Sequence, residues 1–173
     1  MNDFALIRRF PYFEHLDPLD LAKMAPLFIT REYDKGTTIF LEDEEGEELY
    51  LIQSGLIHIY RNDESREIIL SVLSEGDFFG EMALLESVQL RSASVRTIEK
   101  SILYVLKRRD FIDLPQQNPL ISLKILETTL GRLRKANELI MDLTLLDART
   151  RIVRTLLRLM DQHGLPKPTS PSS

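Results

Sequence analysis

Between Leu49 and Leu106 the chain breaks into short runs of aliphatic and β-branched residues, each bounded by turn formers. This pattern limits the fold more than any other feature. Leu49–Ile52, Leu56–Tyr60, Ile68–Leu73, Ala93–Ile98 and Ile102–Leu106 are the predicted strands, with β character beginning at Thr37. Asp34-Lys35-Gly36, Glu45-Gly46, Ser54-Gly55, Asn62-Asp63-Glu64 and Glu75-Gly76-Asp77 supply the turns. Many short strands with glycine-marked turns imply a barrel or a roll, and periodicity alone leaves both open.

Helical signals flank this region. Asp17-Pro18-Leu19-Asp20 reads as a helix start, with Asp17 as N-cap and Pro18 in the first helical position. Leu19, Ala22 and Leu27 are its expected core-facing residues. Pro115 and Pro119 mark a return to helix. There Leu123, Leu126, Leu130, Leu133, Asn137, Ile140 and Thr144 follow a heptad-like 3-4 spacing. This stripe is either a dimer seam or the face of a helix that covers its own domain. A second stripe, Leu139, Leu143 and Leu146, offers another packing face. Asp147 is the expected cap of a further helix, with Ile152, Val153, Leu156, Leu157 and Met160 on its buried side and Gly164 at its end. The chain thus divides into a β-rich part with an N-terminal helix (1–114), a long helix (115–145), a following helix (146–164) and a Pro/Ser tail or linker (165–173).

Composition removes several function classes. With no cysteine in 173 residues there is no disulfide framework and no cysteine-held zinc or iron–sulfur centre. His15, His58 and His163 form no spaced ligand set with carboxylates. The run Glu42-Asp43-Glu44-Glu45-Gly46-Glu47-Glu48 lacks the alternating ligand order of a calcium loop and reads as a charged hairpin turn. No serine–histidine–acid arrangement or P-loop is visible, so the chain is not expected to be an enzyme. A net charge of −5 argues against these residues forming a strong DNA-binding surface. No apolar stretch approaches the length of a membrane span and the N-terminus lacks a secretory core, so a cytoplasmic location is expected.

One segment carries chemistry: Gly76-Asp77-Phe78-Phe79-Gly80-Glu81-Met82, followed by Arg91-Ser92-Ala93. Gly80 lets backbone come close to a ligand. Glu81 can accept from a sugar hydroxyl, Arg91 offers a fork of donors to a phosphate, and Ser92 adds a hydroxyl beside it. A sugar acceptor close to a phosphate-binding cation suits a compact phosphorylated nucleoside. The plain alternatives are a surface ion pair of Arg91 with Glu86, a solvated turn acid at Glu81 and a local backbone bond for Ser92.

The segment closely resembles the phosphate-binding cassette of cyclic-nucleotide-binding domains, most strongly that of the CRP/FNR family of bacterial transcription regulators. The likeness extends upstream through Glu67–Leu73 and downstream to Phe111, and again over Leu143–Gln162. It implies an α+β protein: an antiparallel, jelly-roll-like β-roll with flanking helices and a long C-terminal dimerisation helix. It implies a ligand, cyclic AMP, with no resident cofactor or metal. The residues it marks are Leu70, Phe79, Gly80, Glu81, Met82, Arg91 and Ser92, together with Arg132 and Asn137 on the helix. Arg132 is either a link from the pocket to the helix or a solvated arginine. Asn137 is either a base reader acting from a partner subunit or a register-setting polar residue. Ala136 departs from the family, where a polar side chain reads the base. The resemblance also implies a homodimer, with DNA read through a helix-turn-helix domain that these residues do not contain.

Overall fold

The computed structural model describes residues 16–63 and 66–145, together with positions 7, 10, 12–14, 150, 153 and 156. The expected cap at Asp147, the positions Ile152, Leu157, Met160 and Gly164, the tail 165–173, and His15 and His163 lie outside the described residues. The chain divides into two units, residues 1–125 and 126–173, each described by itself.

The first unit is an antiparallel β-roll, as the resemblance implied. Helix α1 (Pro18–Met24) starts where expected: the backbone amide of Asp20 donates to Asp17 Oδ1 at 2.8 Å. The face that packs is different. Leu21 and Met24 are buried, whereas Leu19 is 72% exposed, Ala22 is exposed and Leu27 is only half-buried. The aromatic group Phe10, Phe13 and Phe28 under the helix selects the Leu21–Met24 stripe.

Eight strands follow among the described residues: β1 (Ile29–Tyr33), β2 (Thr38–Phe40), β3 (Glu48–Ser54), β4 (Ile57–Asp63), β5 (Arg66–Leu73), β6 (Phe78–Phe79), β7 (Ser94–Thr97) and β8 (Ser101–Lys107). One sheet has the order β1-β8-β3-β6 and the other β2-β7-β4-β5. Between β6 and β7 stands the short helix α2 (Glu81–Leu85). The unbroken apolar runs of β3 and β8 reflect burial on both faces. Leu49, Leu51, Tyr104 and Leu106 point to the helical side, while Tyr50, Ile52, Leu103 and Val105 point between the sheets. Each side chain removed from water this completely contributes about 2 kcal/mol.

The second sheet is thinner at its edge. β5 pairs with β4 and ends its sheet, and Leu73 is its one buried residue. Ile68, Ile69, Leu70 and Val72 are all exposed. The acidic run is not a hairpin turn: β2 pairs with β7 while β3 pairs with β6 and β8, so the run crosses between sheets and Glu48 already belongs to β3.

Helix begins ahead of Pro115. α3 (Arg108–Gln117) leads directly from β8, and α4 (Pro119–Leu145) starts at Pro119. Ile121 is buried and Ile125 packs beside it, anchoring the start of α4 in the first unit. Beyond them Leu126, Leu130, Leu133, Leu139 and Ile140 are exposed. Val153 and Leu156, expected on a buried side, are exposed too. The described part of the second unit is helix alone, without a second layer of its own to bury them.

Candidate functional site

Phe79 lies in β6, where register sets it opposite Tyr50 of β3. The two rings stack with centroids 5.0 Å apart and planes 4° from parallel. The chain then turns at Gly80, whose φ of +87° is the left-handed conformation that glycine adopts without penalty. Space demands glycine there as well. A Cβ would stand 2.7 Å from Arg91 Nη1 and 2.9 Å from the Glu48 carbonyl oxygen. The close approach that Gly80 permits is therefore made by the protein's own arginine and the β3 backbone.

Arg91 is neither on the surface nor paired with Glu86. It is 4% exposed. Nη1 donates to the Gly80 carbonyl at 2.9 Å and Nη2 to the Glu48 carbonyl at 3.0 Å. Its guanidinium carbon lies 4.1 Å from the centroid of Phe40 and 5.8 Å from that of Tyr50, in the range of cation–π attraction. Gly46 closes over it: a Cβ at that position would be 2.4 Å from Arg91 Nε. Loop 43–46 is fastened to the cassette by Asp43 N to Arg91 O, Arg91 N to Glu44 O and Gly46 N to Gln89 O, each 2.9 Å.

Each Nη group thus gives one of its two N–H donors to a carbonyl, and Nε is buried without a hydrogen-bond partner. Burial lowers the Arg91 pKa, opposed by Tyr50, Glu48, Glu44 and Glu81. Arginine stays charged at any physiological pH. The consequence is a desolvated cation with donors left over, one on each Nη as well as Nε, an arrangement that favours an arriving anion.

The carboxylate of Glu48 anchors the neighbourhood. It accepts Arg31 Nη1 at 2.8 Å and Nη2 at 2.6 Å, and the Tyr50 hydroxyl at 2.8 Å. Burial pushes the Glu48 carboxyl up, but the hydrogen bonds from Arg31 and Tyr50 outweigh it and hold the pKa below its ordinary value. Arg31 is raised, chiefly by its bond to Glu48, and Tyr50 is raised by burial and then by Glu48. Sequence reasoning missed Arg31, Glu48, Tyr50, Phe40 and Gly46. The alternation of Glu48 and Tyr50 on one strand was the available signal, since residues two apart share a face.

The other expected site residues are placed as follows. Glu81 opens α2 and is half-buried, with Met82 exposed beside it. Ser92 is exposed, and its hydroxyl donates to Met82 Sδ at 3.3 Å rather than to local backbone. Leu70 is exposed on β5. Arg132 and Asn137 lie on α4 in the second unit, Arg132 half-buried and Asn137 exposed. An open cleft of about 740 Å³ reaches Arg91 from the Glu44–Glu47 side, with Phe40 and Tyr50 in its wall. Gly80, Glu81 and Ser92 do not line it, so Arg91 stands between cleft and cassette. No group of metal-binding side chains occurs among the described residues. No described helix is long and apolar enough to cross a membrane.

Comparison with known proteins agrees with this geometry. The cyclic nucleotide-binding domain family matches residues 30–118. The cyclic AMP receptor protein of Thermus thermophilus is 33% identical over 88% of this chain and 70% of its own length. The cAMP-activated global transcriptional regulator CRP of Salmonella typhimurium is 35% identical over 76% of this chain and 63% of its own. The crystal structure of the Thermus thermophilus catabolite activator protein superposes with a TM-score of 0.68 at 33% identity, covering 88% of this chain and 72% of that one. The chain therefore spans roughly two thirds of these regulators' length. With a roll of this topology and a cassette built around a buried arginine, the chain belongs to the cyclic nucleotide-binding domain family and is a relative of the CRP-type transcription regulators.

Proposed function

We propose that this chain is the effector-sensing part of a CRP-type transcription regulator and that its effector is cyclic AMP. The observation that carries the reading is Arg91: a buried cation oriented by one carbonyl on each Nη, with its remaining N–H donors unclaimed. A cyclic phosphodiester brings the single negative charge that such a group accepts. Glu81 takes the ribose hydroxyl, Ser92 turns its hydroxyl from Met82 to the phosphate, and Phe79, Met82 and Leu70 form the wall. Arg132 ties the pocket to α4, and Asn137 from a second copy reads the base. The relatives named above are cyclic AMP receptors or cAMP-activated regulators, which supports this choice of ligand.

The mechanism is a bias between dimer arrangements. Ligand that touches both cassette and helix favours one arrangement of the α4 pair. In a full-length regulator that arrangement sets the spacing of two DNA-reading helices. The role is cytoplasmic and non-enzymatic, and it needs no metal.

Calorimetric titration with cyclic AMP, cyclic GMP and a cyclic dinucleotide tests the reading, with Arg91→Leu as the paired variant. Loss of the charge pair should weaken cyclic AMP by about 2–5 kcal/mol. Leucine also leaves the Gly80 and Glu48 carbonyls unpaired, so the fold should lose about 1–3 kcal/mol while staying folded. Equal affinity in the folded variant would remove Arg91 from the site. A second reading, a dimerisation module that works without ligand, is favoured by Ala136, which cannot contact a base through a polar group. Absence of heat with all three nucleotides, in a chain that still dimerises, would establish it.

A further inference from the structure

We propose that Arg31 and Glu48 are positioning residues of the anion site, acting through the Glu48 peptide on Arg91 and Gly80 together. The proposal rests on the reading of Arg91 as the phosphate anchor. Glu48 is the first residue of β3, paired with Lys107 where the β3–β8 ladder ends. A strand terminus frays unless something holds it. Here the side chain is the clamp. Arg31, two strands away in the order β1-β8-β3, grips both carboxylate oxygens, and Tyr50 adds its hydroxyl.

What the clamp holds still is a carbonyl with two functional neighbours. The Glu48 carbonyl receives Arg91 Nη2 at 3.0 Å. It also lies where a Cβ on Gly80 would come within 2.9 Å, so the cassette turn rests against it. If Glu48 swings away, the arginine loses one of its two anchors and the turn loses its support. Tyr50 joins the same assembly from the other side, its ring stacked on Phe79 and its hydroxyl on Glu48. The direction of the Arg91 fork is thus set from β1, by a side chain outside the sequence motif.

The test measures cyclic AMP affinity by calorimetry and thermal stability in parallel for Arg31→Met, Arg31→Lys, Glu48→Gln and Arg91→Lys. Arg31→Met and Glu48→Gln should each weaken cyclic AMP about threefold to thirtyfold. Arg31→Lys keeps the charge without the two-pronged grip and should recover part of the loss. Arg91→Lys, which keeps a cation but not the fork, should also weaken binding. Adding Arg31→Met to it should then change affinity little, because the group being aimed is gone. Should Arg31→Met lower the melting temperature while affinity stays at the wild-type value, the pair is merely structural and the proposal is overturned. Full additivity of Arg31→Met and Arg91→Lys overturns it as well. Unchanged affinity in Arg91→Lys would instead remove the reading on which it rests.

Discussion

At the scale of single residues, the site depends on two glycines that face the same arginine. Gly80 turns the chain with φ +87°. Gly46 is the more direct probe, because its φ is not left-handed and space alone constrains it. An added methyl would stand 2.4–2.8 Å from Nε, Cζ and Cδ of Arg91. The guanidinium cannot retreat without leaving Phe40 and the two carbonyls. Gly46→Ala should therefore weaken cyclic AMP by roughly tenfold, the effect of about 1.4 kcal/mol. Its melting temperature should fall by less than that of Arg91→Leu, since no hydrogen-bond partner is deleted. Wild-type affinity in Gly46→Ala would mean that the orientation of Arg91 seen here is not the binding one.

At the scale of elements, two links can be separated experimentally. The Glu48–Arg31 clamp joins β3 to β1 across β8. The folded pKa of Glu48 lies below its ordinary value, so its contribution is complete above the unfolded value and is lost as pH falls through the folded one. A partly exposed pair of this kind contributes about 1 kcal/mol or less. Denaturant unfolding at pH 7 should show Glu48→Gln less stable than wild type, with the gap closing at an acid pH below the folded value. A gap of equal size at both pH values would rule out the ionised carboxylate as its source. The other link is α4. Its leucines at 126, 130 and 133 are about half exposed, which is the condition expected of a seam awaiting a second helix. Leu126→Glu with Leu133→Glu puts unpaired charge into that seam and should dissociate a dimer by orders of magnitude. Light scattering that finds the unmutated chain monomeric well above micromolar concentration would discard the seam.

At the scale of the whole molecule, what the sequence revealed follows a physical division. β3, β4, β5, β7 and β8 were legible because each is a run of strand-forming residues closed by turns. β1, with Thr30, Arg31 and Glu32 in its middle, and the two-residue β6 lack that signature. The Glu42–Glu48 run was misread because composition identifies a turn region without saying which strands it joins. Arg91 stood out by its spacing from Gly80-Glu81. Its inward direction did not, because Phe40, Gly46 and Glu48, which surround it, stand far from it in the sequence. Local chemistry is written locally, whereas orientation is set by residues brought together only on folding.

The uneven build of the two sheets has a further consequence. β3 and β8 lie between two apolar layers, whereas β5 hangs on β4 alone with Leu73 as its inward anchor. Opening β5 uncovers little apolar surface, so it needs far less free energy than global unfolding. In deuterated buffer the amides of residues 66–72 should exchange in the first minutes, long before those of 49–52 and 103–106. Cyclic AMP, by engaging Leu70, should slow that exchange while leaving β3 and β8 almost unchanged. Equal protection of β5 and β3 without nucleotide would contradict this. On the proposed reading, in which Leu70 forms part of the pocket wall, the strand that opens most readily is also the flap through which a nucleotide would leave, and its opening rate would set the upper limit on how fast the sensor can forget its signal.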